Sequence, residues 1–259
     1  MARKISQRII PVKWSVVIPT LWKSPRIYNL LESLEKTPHV GEIILIDNAP
    51  ELTPNLPKLE KLKILSKGVN IFVNPAWNFG VSEATFPHIA LCNDDIEFDT
   101  RLFSFFDSLK IRQTVFGCCP ENFSAQSPSQ TEFKIEKGHN ITAGWGCLML
   151  FNRNDYTPIP NKLKIYCGDD WIVHTFRKVK SFHWKIQTEM STSSGIPSLN
   201  QIAKKDKLIF SKLLKKRDYL RITILHQSQF GAYNPISITH FFFRKFKLFI
   251  INSLLSNRK

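Results

Sequence analysis

The chain has 259 residues, 43% of them hydrophobic, and its 36 Lys and Arg against 21 Asp and Glu give a formal net charge of +15. This length and apolar content predict one sizeable α/β domain with an appendage and exclude a disordered chain. The positive charge favours an acidic partner, such as a nucleotide, a nucleic acid or an anionic membrane. Charge alone does not choose among these partners.

The five cysteines form an odd number without a Cys-x-x-Cys pair, and several lie in apolar runs. We interpret them as reduced core residues, which favours a cytoplasmic protein. The N-terminus lacks the apolar stretch and the cleavage site of a secretory signal, and the sequence has no stretch of about 18 uncharged apolar residues. We therefore expect a cytoplasmic location, with peripheral attachment to the inner face of a membrane as a further possibility.

The first predicted elements form a βαβ unit. Residues 15–19 are a β-branched run closed by a proline, and Ser24 and Pro25 have the residue types of a helix N-cap and a first helical residue. Four apolar residues then repeat at the helical spacing: Ile27, Leu30, Leu31 and Leu34. The unbroken apolar run in residues 42–46 predicts a strand buried on both faces.

Further segments continue this alternation along the chain. They are a short strand within residues 64–73, a helix over 75–85, a strand over 89–92, a strand over 146–151 and a helix over 170–179. Residues 125–138 are polar and rich in Ser and Gln, which predicts a long loop or an exposed hairpin. The alternation predicts an α/β fold with a mostly parallel, doubly wound sheet flanked by helices.

An acidic cluster follows the predicted strand over residues 89–92. It consists of Asn93, Asp94 and Asp95. Acidic side chains at the carboxyl end of a central strand lie where α/β sheets bind ligands, and carboxylate and amide oxygens are the ligands that Mg²⁺ or Mn²⁺ prefers. The cluster predicts a site for a metal and a diphosphate, and a solvated turn or a helix cap is the alternative.

Four segments in this order resemble the GT-A glycosyltransferases, particularly the inverting family-2-like group that uses nucleotide-diphospho-sugars. They are Val16-Val-Ile-Pro19-Thr20, Ile44-Leu-Ile-Asp47-Asn48, Asn74-Pro-Ala-Trp-Asn78-Phe-Gly80 and Leu91-Cys-Asn93-Asp94-Asp95. Each motif is common in α/β proteins, and the order and separation of the four carry the resemblance. The resemblance implies a GT-A (Rossmann-like) fold, a nucleotide-diphospho-sugar donor and a Mn²⁺ or Mg²⁺ cofactor.

The resemblance also implies roles for individual residues. The implied donor-binding residues are Pro19, Thr20, Asp47, Asn78, Gly80, Asn93 and Asp94. Asp47 is expected to accept a hydrogen bond from the nucleotide base. Because Asn93 replaces the first Asp of the family's Asp-x-Asp motif, we expect Asp95 to be the main metal ligand and Asp94 to contact sugar or ribose. The family has a further metal ligand, a His, late in its sequence. This sequence has no clear match for that His, which leaves Glu189 or His183 as candidates.

Two segments of the second half resemble the acceptor side of the same family. They are Gly144-Trp145-Gly146 and Gly168-Asp169-Asp170-Trp171. The match implies that Asp170 is the catalytic base, that Asp169 contacts the acceptor or the backbone, and that the acceptor lies against Trp145, Gly146 and Trp171. Inversion by direct displacement requires such a base opposite the leaving group. A helix N-cap for the acidic pair and core packing for Trp145 are the open alternatives.

The C-terminal sequence is basic and aromatic. Residues 241–251 interleave aromatic and aliphatic residues with Arg244, Lys245 and Lys247, which suits an interfacial membrane helix or a helix that docks on the catalytic domain. We place a GT-A catalytic domain at residues 1–195 and a basic helical C-terminal extension at residues 196–259. Within the catalytic domain, we expect a nucleotide-sugar half at about residues 14–110 and an acceptor half at about residues 111–195.

The leading hypothesis is a metal-dependent, inverting glycosyltransferase whose acceptor is a surface glycan or a lipid-linked saccharide, and retention is an open alternative. A second hypothesis is sugar transfer onto modified bases of DNA, which the charge of +15 would suit. A third is a non-catalytic basic module that binds nucleic acid or membrane, in which Asp95 and Asp170 are structural. Turnover of a nucleotide-sugar with Mn²⁺ separates the enzyme from the module.

Overall fold

The structure is a computed structural model that describes residues 12–107, 109–119, 133–135, 144–188 and 197–214. Its strands are β1 (Trp14–Thr20), β2 (Val40–Asp47), β3 (Leu62–Ser66), β4 (His88–Cys92), β5 (Ile96–Phe98), β6 (Thr114–Cys119), β7 (Lys134–Ile135), β8 (Leu148–Asn152), β9 (Lys178–His183) and β10 (Ile186–Thr188). Its α-helices are α1 (Arg26–Lys36), α2 (Val73–Glu83), α3 (Leu102–Phe106), α4 (Gly168–Thr175) and α5 (Pro197–Leu213).

Eight strands form the main sheet, in the order β3-β2-β1-β4-β8-β6-β9-β7, and β5 pairs with β10 in a separate small sheet. The pairs β1 with β2, β1 with β4, β2 with β3 and β6 with β9 are parallel. The strand β8 runs antiparallel to its neighbours β4 and β6, and β7 runs antiparallel to β9. The sheet is therefore mostly parallel, which confirms the predicted fold class.

Both faces of the sheet are covered, because alternate side chains of the central strands enter two different cores. Val17 and Ile46 lie in the core that the sheet forms with α2, α4 and α5. Val16, Ile18 and Leu45 lie in the opposite core with α1, α3 and the small sheet. The apolar face predicted for α1 is buried in this second core. Helices on both faces give the doubly wound arrangement.

Some predicted boundaries differ from the observed ones. The helix predicted over residues 170–179 ends at Thr175, and Lys178–His183 forms strand β9 instead. The prediction extended the helix too far because a short, half-buried strand has too few apolar residues to show its alternation. The strand predicted within residues 64–73 lies at Leu62–Ser66, and α1 begins at Arg26, one residue later than expected.

The helix α5 belongs to the part of the chain predicted as a C-terminal extension. Phe210 of α5, and Leu214 directly after the helix, are buried in the same core as α2 and α4, so the described part of the predicted extension shares the core of the predicted catalytic domain. None of the helices in the described ranges is long and apolar enough to cross a membrane. The basic aromatic residues 241–251 lie outside the described residues, and their membrane role stays a prediction.

Candidate functional site

The candidate site lies at one edge of the main sheet, where the parallel strands β1, β2 and β4 end. Thr20 and Asp47, the last residues of β1 and β2, are register partners at this edge. The chain leaves β4 at the same edge with Asn93, and β8 begins there because Cys92 pairs with Leu148. The fold thus brings the predicted donor segments and the start of β8 to one edge, as expected for a doubly wound sheet.

Asp94 is hydrogen-bonded to the end of β1. The Thr20 hydroxyl donates to Asp94 Oδ2 at 2.6 Å, and the backbone N–H of Leu21 also donates to this carboxylate. Burial raises the pKa of Asp94, and these hydrogen bonds oppose the rise without cancelling it. Two of the predicted donor-binding residues are therefore in direct contact, whereas Pro19 is buried within β1.

Asp47 is nearly inaccessible, with 2% of its surface exposed, and both of its carboxylate oxygens accept hydrogen bonds. Oδ1 accepts from the indole Nε1 of Trp22 at 2.9 Å and from the backbone N–H of Ala49 at 2.9 Å. Oδ2 accepts from the hydroxyl of Thr53. Asp47 thus fixes the loops that follow β1 and β2.

Trp22 is a residue of this edge that the sequence analysis did not single out. Its backbone has a φ of +59°, in the left-handed region that is uncommon for a bulky residue, and its N–H donates to Thr20 Oγ1 at 2.9 Å. The partly exposed indole lies beside Asp47. In the sequence, the feature that could have indicated Trp22 is its position as an aromatic residue two places after the end of the first strand.

Asp95 lies where β4 and β8 meet. Burial is the main cause that raises the pKa of the Cys147 thiol to about 12, and the nearby negative charge of Asp95 adds to this rise. Cys147 also binds the acidic cluster through its backbone, since its carbonyl accepts the Asn93 N–H at 3.0 Å. The hydrogen bond between Asn93 and Cys147 thus joins the acidic cluster to the segment that leads into β8.

The donor set fits a hard divalent cation whose other ligands come from phosphate and water. Asp94 and Asp95 offer two carboxylates at the edge, and Mg²⁺ is usually held by one or two carboxylates together with substrate phosphates. Within the described ranges, no group of three His, Cys, Asp or Glu could hold a metal by itself. Glu189 lies outside the described residues. His183 ends β9, three strands from β4, or about 14 Å at the usual strand spacing, which disfavours it as a ligand beside Asp95.

The acidic pair of α4 lies against the segment that precedes β8. A Cβ atom added to Gly146 would be only 2.9 Å from Asp169 Oδ2, so the glycine allows this close approach. Asp169 Oδ1 accepts the backbone N–H of Asp170 at 3.0 Å. Both carboxylates lie in the first turn of α4, at the positive end of the helix dipole. Contacts through Gly146 and Cys147 therefore link the acidic pair to Asn93.

The two tryptophans predicted to bind the acceptor have different surroundings. Trp145 is 1% exposed, its Nε1 donates to Ser181 Oγ at 3.1 Å, and its ring occupies the space that a side chain at Gly117 would need. This placement corrects the prediction of sugar stacking, because no face of the ring is open to a ligand. Trp171 is partly exposed and donates to the Pro158 carbonyl at 3.1 Å, so it stays a candidate for the acceptor side.

Asn78 and Gly80 of α2, which are predicted donor-binding residues, make contacts within the fold. The Asn78 amide donates to the Ile159 carbonyl at 2.7 Å and accepts from the Ile159 N–H and the Tyr156 hydroxyl, each at 2.8 Å. Gly80 lies directly on Val17 of β1, where a Cβ atom would overlap the valine side chain. These contacts hold the 156–159 loop and let α2 approach the sheet.

The chain has the α/β fold of a doubly wound sheet, with its polar residues at the edge where such sheets bind ligands. No family model and no curated protein sequence matches it. Among solved structures it is similar to S. aureus TarS 1–349, with 14% identity and a TM-score of 0.48 over 67% of this chain and 60% of that one. The TarS fragment has been solved with UDP and with UDP-GlcNAc.

Two further solved structures show a similar level of resemblance. GalNAc-T7 with UDP, GalNAc and Mn²⁺ matches at 13% identity and a TM-score of 0.47, over 70% of this chain and 45% of that one. The mannosyltransferase PcManGT from Pyrobaculum calidifontis, with GDP-Man and Mn²⁺, matches at 14% identity and a TM-score of 0.45, over 66% and 56%. The chain spans 60% or less of the length of each of these three structures.

Proposed function

We propose that this protein is a metal-dependent glycosyltransferase that moves a sugar from a nucleotide-diphospho-sugar to an acceptor hydroxyl with inversion. The observation that carries the proposal is the convergence of Thr20, Asp94 and Asp95 at one edge of the sheet, with Asp169 reached through Gly146. This convergence supports a donor site with a proton acceptor beside it, as a direct displacement would require.

The nucleotide of the donor is proposed to lie over the ends of β1 and β2. The base would bind at Asp47, where it would replace a hydrogen bond that Trp22 or Thr53 now donates. Both of these side chains reach the surface, so either can move without opening the core. Asp94, held by Thr20, would contact the ribose or the sugar, and Asn93 would line the same edge.

Asp95 is proposed to hold Mn²⁺ or Mg²⁺ together with the phosphates of the donor, and Asp94 lies next to it in the chain. The cation would supply charge neutralisation for the departing nucleoside diphosphate. We also propose Glu189 as a further ligand. Its support is the resemblance, which leaves Glu189 as a candidate for the late metal-ligand position.

Asp170 is proposed as the base that takes the proton of the acceptor hydroxyl as the hydroxyl oxygen attacks the sugar carbon. Asp169 supports this arrangement, because its carboxylate accepts the Asp170 N–H and lies against Gly146. Both carboxylates lie in the first turn of α4, and a carboxylate is a group that can accept the proton in general-base catalysis. Trp171, next in the chain and partly exposed, is the proposed acceptor contact.

We propose a surface glycan or a lipid-linked saccharide as the acceptor, with the protein in the cytoplasm and its basic C-terminal residues at an anionic membrane surface. The net charge of +15 supports attachment to an anionic membrane surface. The same charge favours DNA as a second acceptor class, with sugar transfer onto modified bases. Two measurements separate the classes: binding of duplex DNA at low and raised salt, and incorporation of sugar into the DNA. Salt-sensitive binding together with incorporation favours DNA as the acceptor.

The binding half of this proposal is tested by calorimetric titration of UDP and GDP in the presence of MnCl₂. We expect Asp95→Asn, which keeps the size of the side chain and removes its charge, to weaken metal-dependent binding at least about tenfold. Glu97→Gln, two residues further along in β5, is the matched control and should bind like the wild type. Equal affinity in Asp95→Asn and wild type would show that Asp95 is not a metal ligand.

A further inference from the structure

A buried carboxylate from α5 holds the segment that leads into α4. Asp206 has no exposed surface, and its Oδ2 accepts three consecutive backbone N–H groups. The donors are Lys164 at 3.1 Å, Ile165 at 2.9 Å and Tyr166 at 3.0 Å. Consecutive N–H groups that point to one side form a concave anion-binding site, and here the anion is part of the chain. We call residues 164–166 the entry segment of α4.

The opposite side of the entry segment is held by Asn74 of α2, which is also fully buried. The Asn74 backbone N–H donates to the Lys164 carbonyl at 3.0 Å, and its side-chain Nδ2 donates to the Tyr166 carbonyl at 3.2 Å. Gly168, the first residue of α4, lies so close to the Asn74 side chain that a Cβ atom there would overlap it. The entry segment is therefore fixed between α2 and α5.

Fixing the entry segment also fixes the acidic pair, because Asp169 and Asp170 follow it after only two residues. Cys167, the first of the two intervening residues, has a φ of +62° in the left-handed region, so the backbone turns sharply here. Burial raises the pKa of the Cys167 thiol, and the charges of Asp170, Asp169 and Asp206 add to the rise. The sharp turn at Cys167 therefore joins the fixed entry segment directly to the first turn of α4.

The contact between α5 and α4 extends beyond this carboxylate. Phe210 of α5, and Leu214 directly after the helix, are buried in the core that also contains Ile172 and Val173 of α4. Asp206 and Phe210 are four residues apart and therefore lie on the same face of α5. This face is the one that docks, while the lysines around it are exposed.

We propose that Asp206 is a positioning residue for the transfer reaction, which fixes the entry segment so that Asp169 and Asp170 face the carboxyl edge of the sheet. The inference rests on the proposed glycosyltransferase function, since it concerns the placement of the proton acceptor. A displacement of about 1 Å in such a group can lower a rate by about 10². The described part of the C-terminal extension is then a component of the active site.

The test compares Asp206→Ala and Asp206→Asn with Phe210→Ala, which weakens the docking of α5 but leaves the carboxylate in place. Below the melting temperature of all variants, we expect Asp206→Ala to lower kcat about 10- to 100-fold with an unchanged donor Kd. Asp206→Asn keeps an oxygen acceptor for the entry segment and should recover most of kcat. Phe210→Ala should lower Tm at least as much while losing less than about threefold in kcat.

Hydrogen exchange supplies a readout that needs no turnover. The amides of Lys164, Ile165 and Tyr166 should exchange faster in Asp206→Ala than in Phe210→Ala, and unchanged protection would overturn the inference. Equal kcat losses in the two variants would also overturn it, because Asp206 would then act only through stability. Absence of nucleotide-sugar turnover in the wild type would overturn the proposed function itself, and the positioning role with it.

Discussion

Asp47 combines a structural task with the proposed recognition of the base. Its carboxylate accepts hydrogen bonds from Trp22, Ala49 and Thr53, and a bound base would compete with two of these donors. We expect Asp47→Ala to raise the donor KM with little change in kcat, because the residue is remote from the reacting bond. Steady-state kinetics with varied donor measures this effect.

Thr53→Val is the control for Asp47→Ala, since it removes one of the three hydrogen bonds and leaves the carboxylate available to a base. It should leave the donor KM close to the wild-type value. If Asp47→Ala instead lowered kcat at an unchanged KM, the base would bind elsewhere and Asp47 would only support the loops.

The acidic pair of α4 gives a prediction about the chemical step. Asp170→Asn keeps size and hydrogen bonding but removes the proton acceptor, so kcat should fall by about 10² to 10⁴ while donor binding stays near normal. Measurements of kcat and of donor Kd on Asp170→Asn and Asp169→Asn check this expectation. A larger loss of kcat in Asp169→Asn would mean that Asp169 is the base and Asp170 its supporting residue. No loss of kcat in either variant would mean that the pair is only a helix cap.

At the scale of the elements, a buried Glu holds the amino-terminal ends of the strands together. Glu42 of β2 accepts from Ser15 of β1 at 2.6 Å, from Lys63 of β3 at 2.6 Å, and from the N–H and hydroxyl of Thr85 at 2.6 and 2.8 Å. Burial alone would raise the pKa of Glu42, but these hydrogen bonds outweigh it and lower the pKa to about 2. The charged form is therefore favoured in the folded state.

This lowered pKa predicts acid lability. A carboxylate whose pKa is lower in the folded than in the unfolded state stabilises the fold above its unfolded pKa, near 4.5, and loses this effect as the pH falls toward 2. The lost stability amounts to at most about 3 kcal/mol. Urea unfolding of wild type from pH 6 to 2.5 should show the loss, and Glu42→Gln should be less stable at pH 6 with a flatter profile.

The exposed Glu60, which pairs with Lys58 on the surface, provides the control for this experiment. Glu60→Gln should follow the wild-type pH profile, because exposed ion pairs contribute little to stability. A Glu42→Gln profile as steep as that of the wild type would mean that other carboxylates cause the acid lability.

The sequence predicted those elements that have long or regular apolar patterns. The strands β1, β2 and β4 are unbroken apolar runs, and α1 shows its buried face at helical spacing. The strand β9 was missed because its burial alternates over only six residues and follows a helical pattern directly. Strands that are stabilised mainly by contacts with distant residues have only a weak pattern in their local sequence, so they become apparent only in the structure.

The same limit applies to the site. Thr20 and Asp94 could be placed at one edge because the order of strands and motifs predicts it, and the structure joins them. The burial of Trp145 depends on Gly117, and the role of Asp206 depends on three amides about 40 residues earlier. Such long-range contacts have no signature in the local sequence, whereas residues at strand ends do.

At the scale of the whole molecule, the charge of +15 and the basic aromatic residues 241–251 lead to a prediction about membranes. If these residues lie at an interface, Arg244, Lys245 and Lys247 each contribute about 1 kcal/mol beside anionic headgroups. Removing the three charges should lower binding to phosphatidylserine-containing vesicles by roughly two orders of magnitude. Vesicle sedimentation at low and high salt measures this effect, because salt screens it.

Deleting the chain from Ile236 onward should release the protein from such vesicles and leave donor hydrolysis largely intact. The deletion retains α5, so the contacts of Asp206 and Phe210 with the catalytic domain are preserved. Loss of solubility or of donor hydrolysis in this variant would place the deleted residues in the folded core and contradict the membrane role.

The central claim is that the carboxyl edge of the sheet binds and activates a nucleotide-sugar with a divalent cation. A panel of UDP-, GDP-, CMP- and dTDP-sugars, incubated with Mn²⁺, Mg²⁺ or EDTA and assayed for released nucleotide, tests it most directly, because many transferases transfer sugar slowly to water. We predict metal-dependent release from one nucleotide-diphospho-sugar, lost with EDTA and in Asp95→Asn but retained in Glu97→Gln. Release that is independent of metal and of Asp95, or no release from any donor, would contradict the claim.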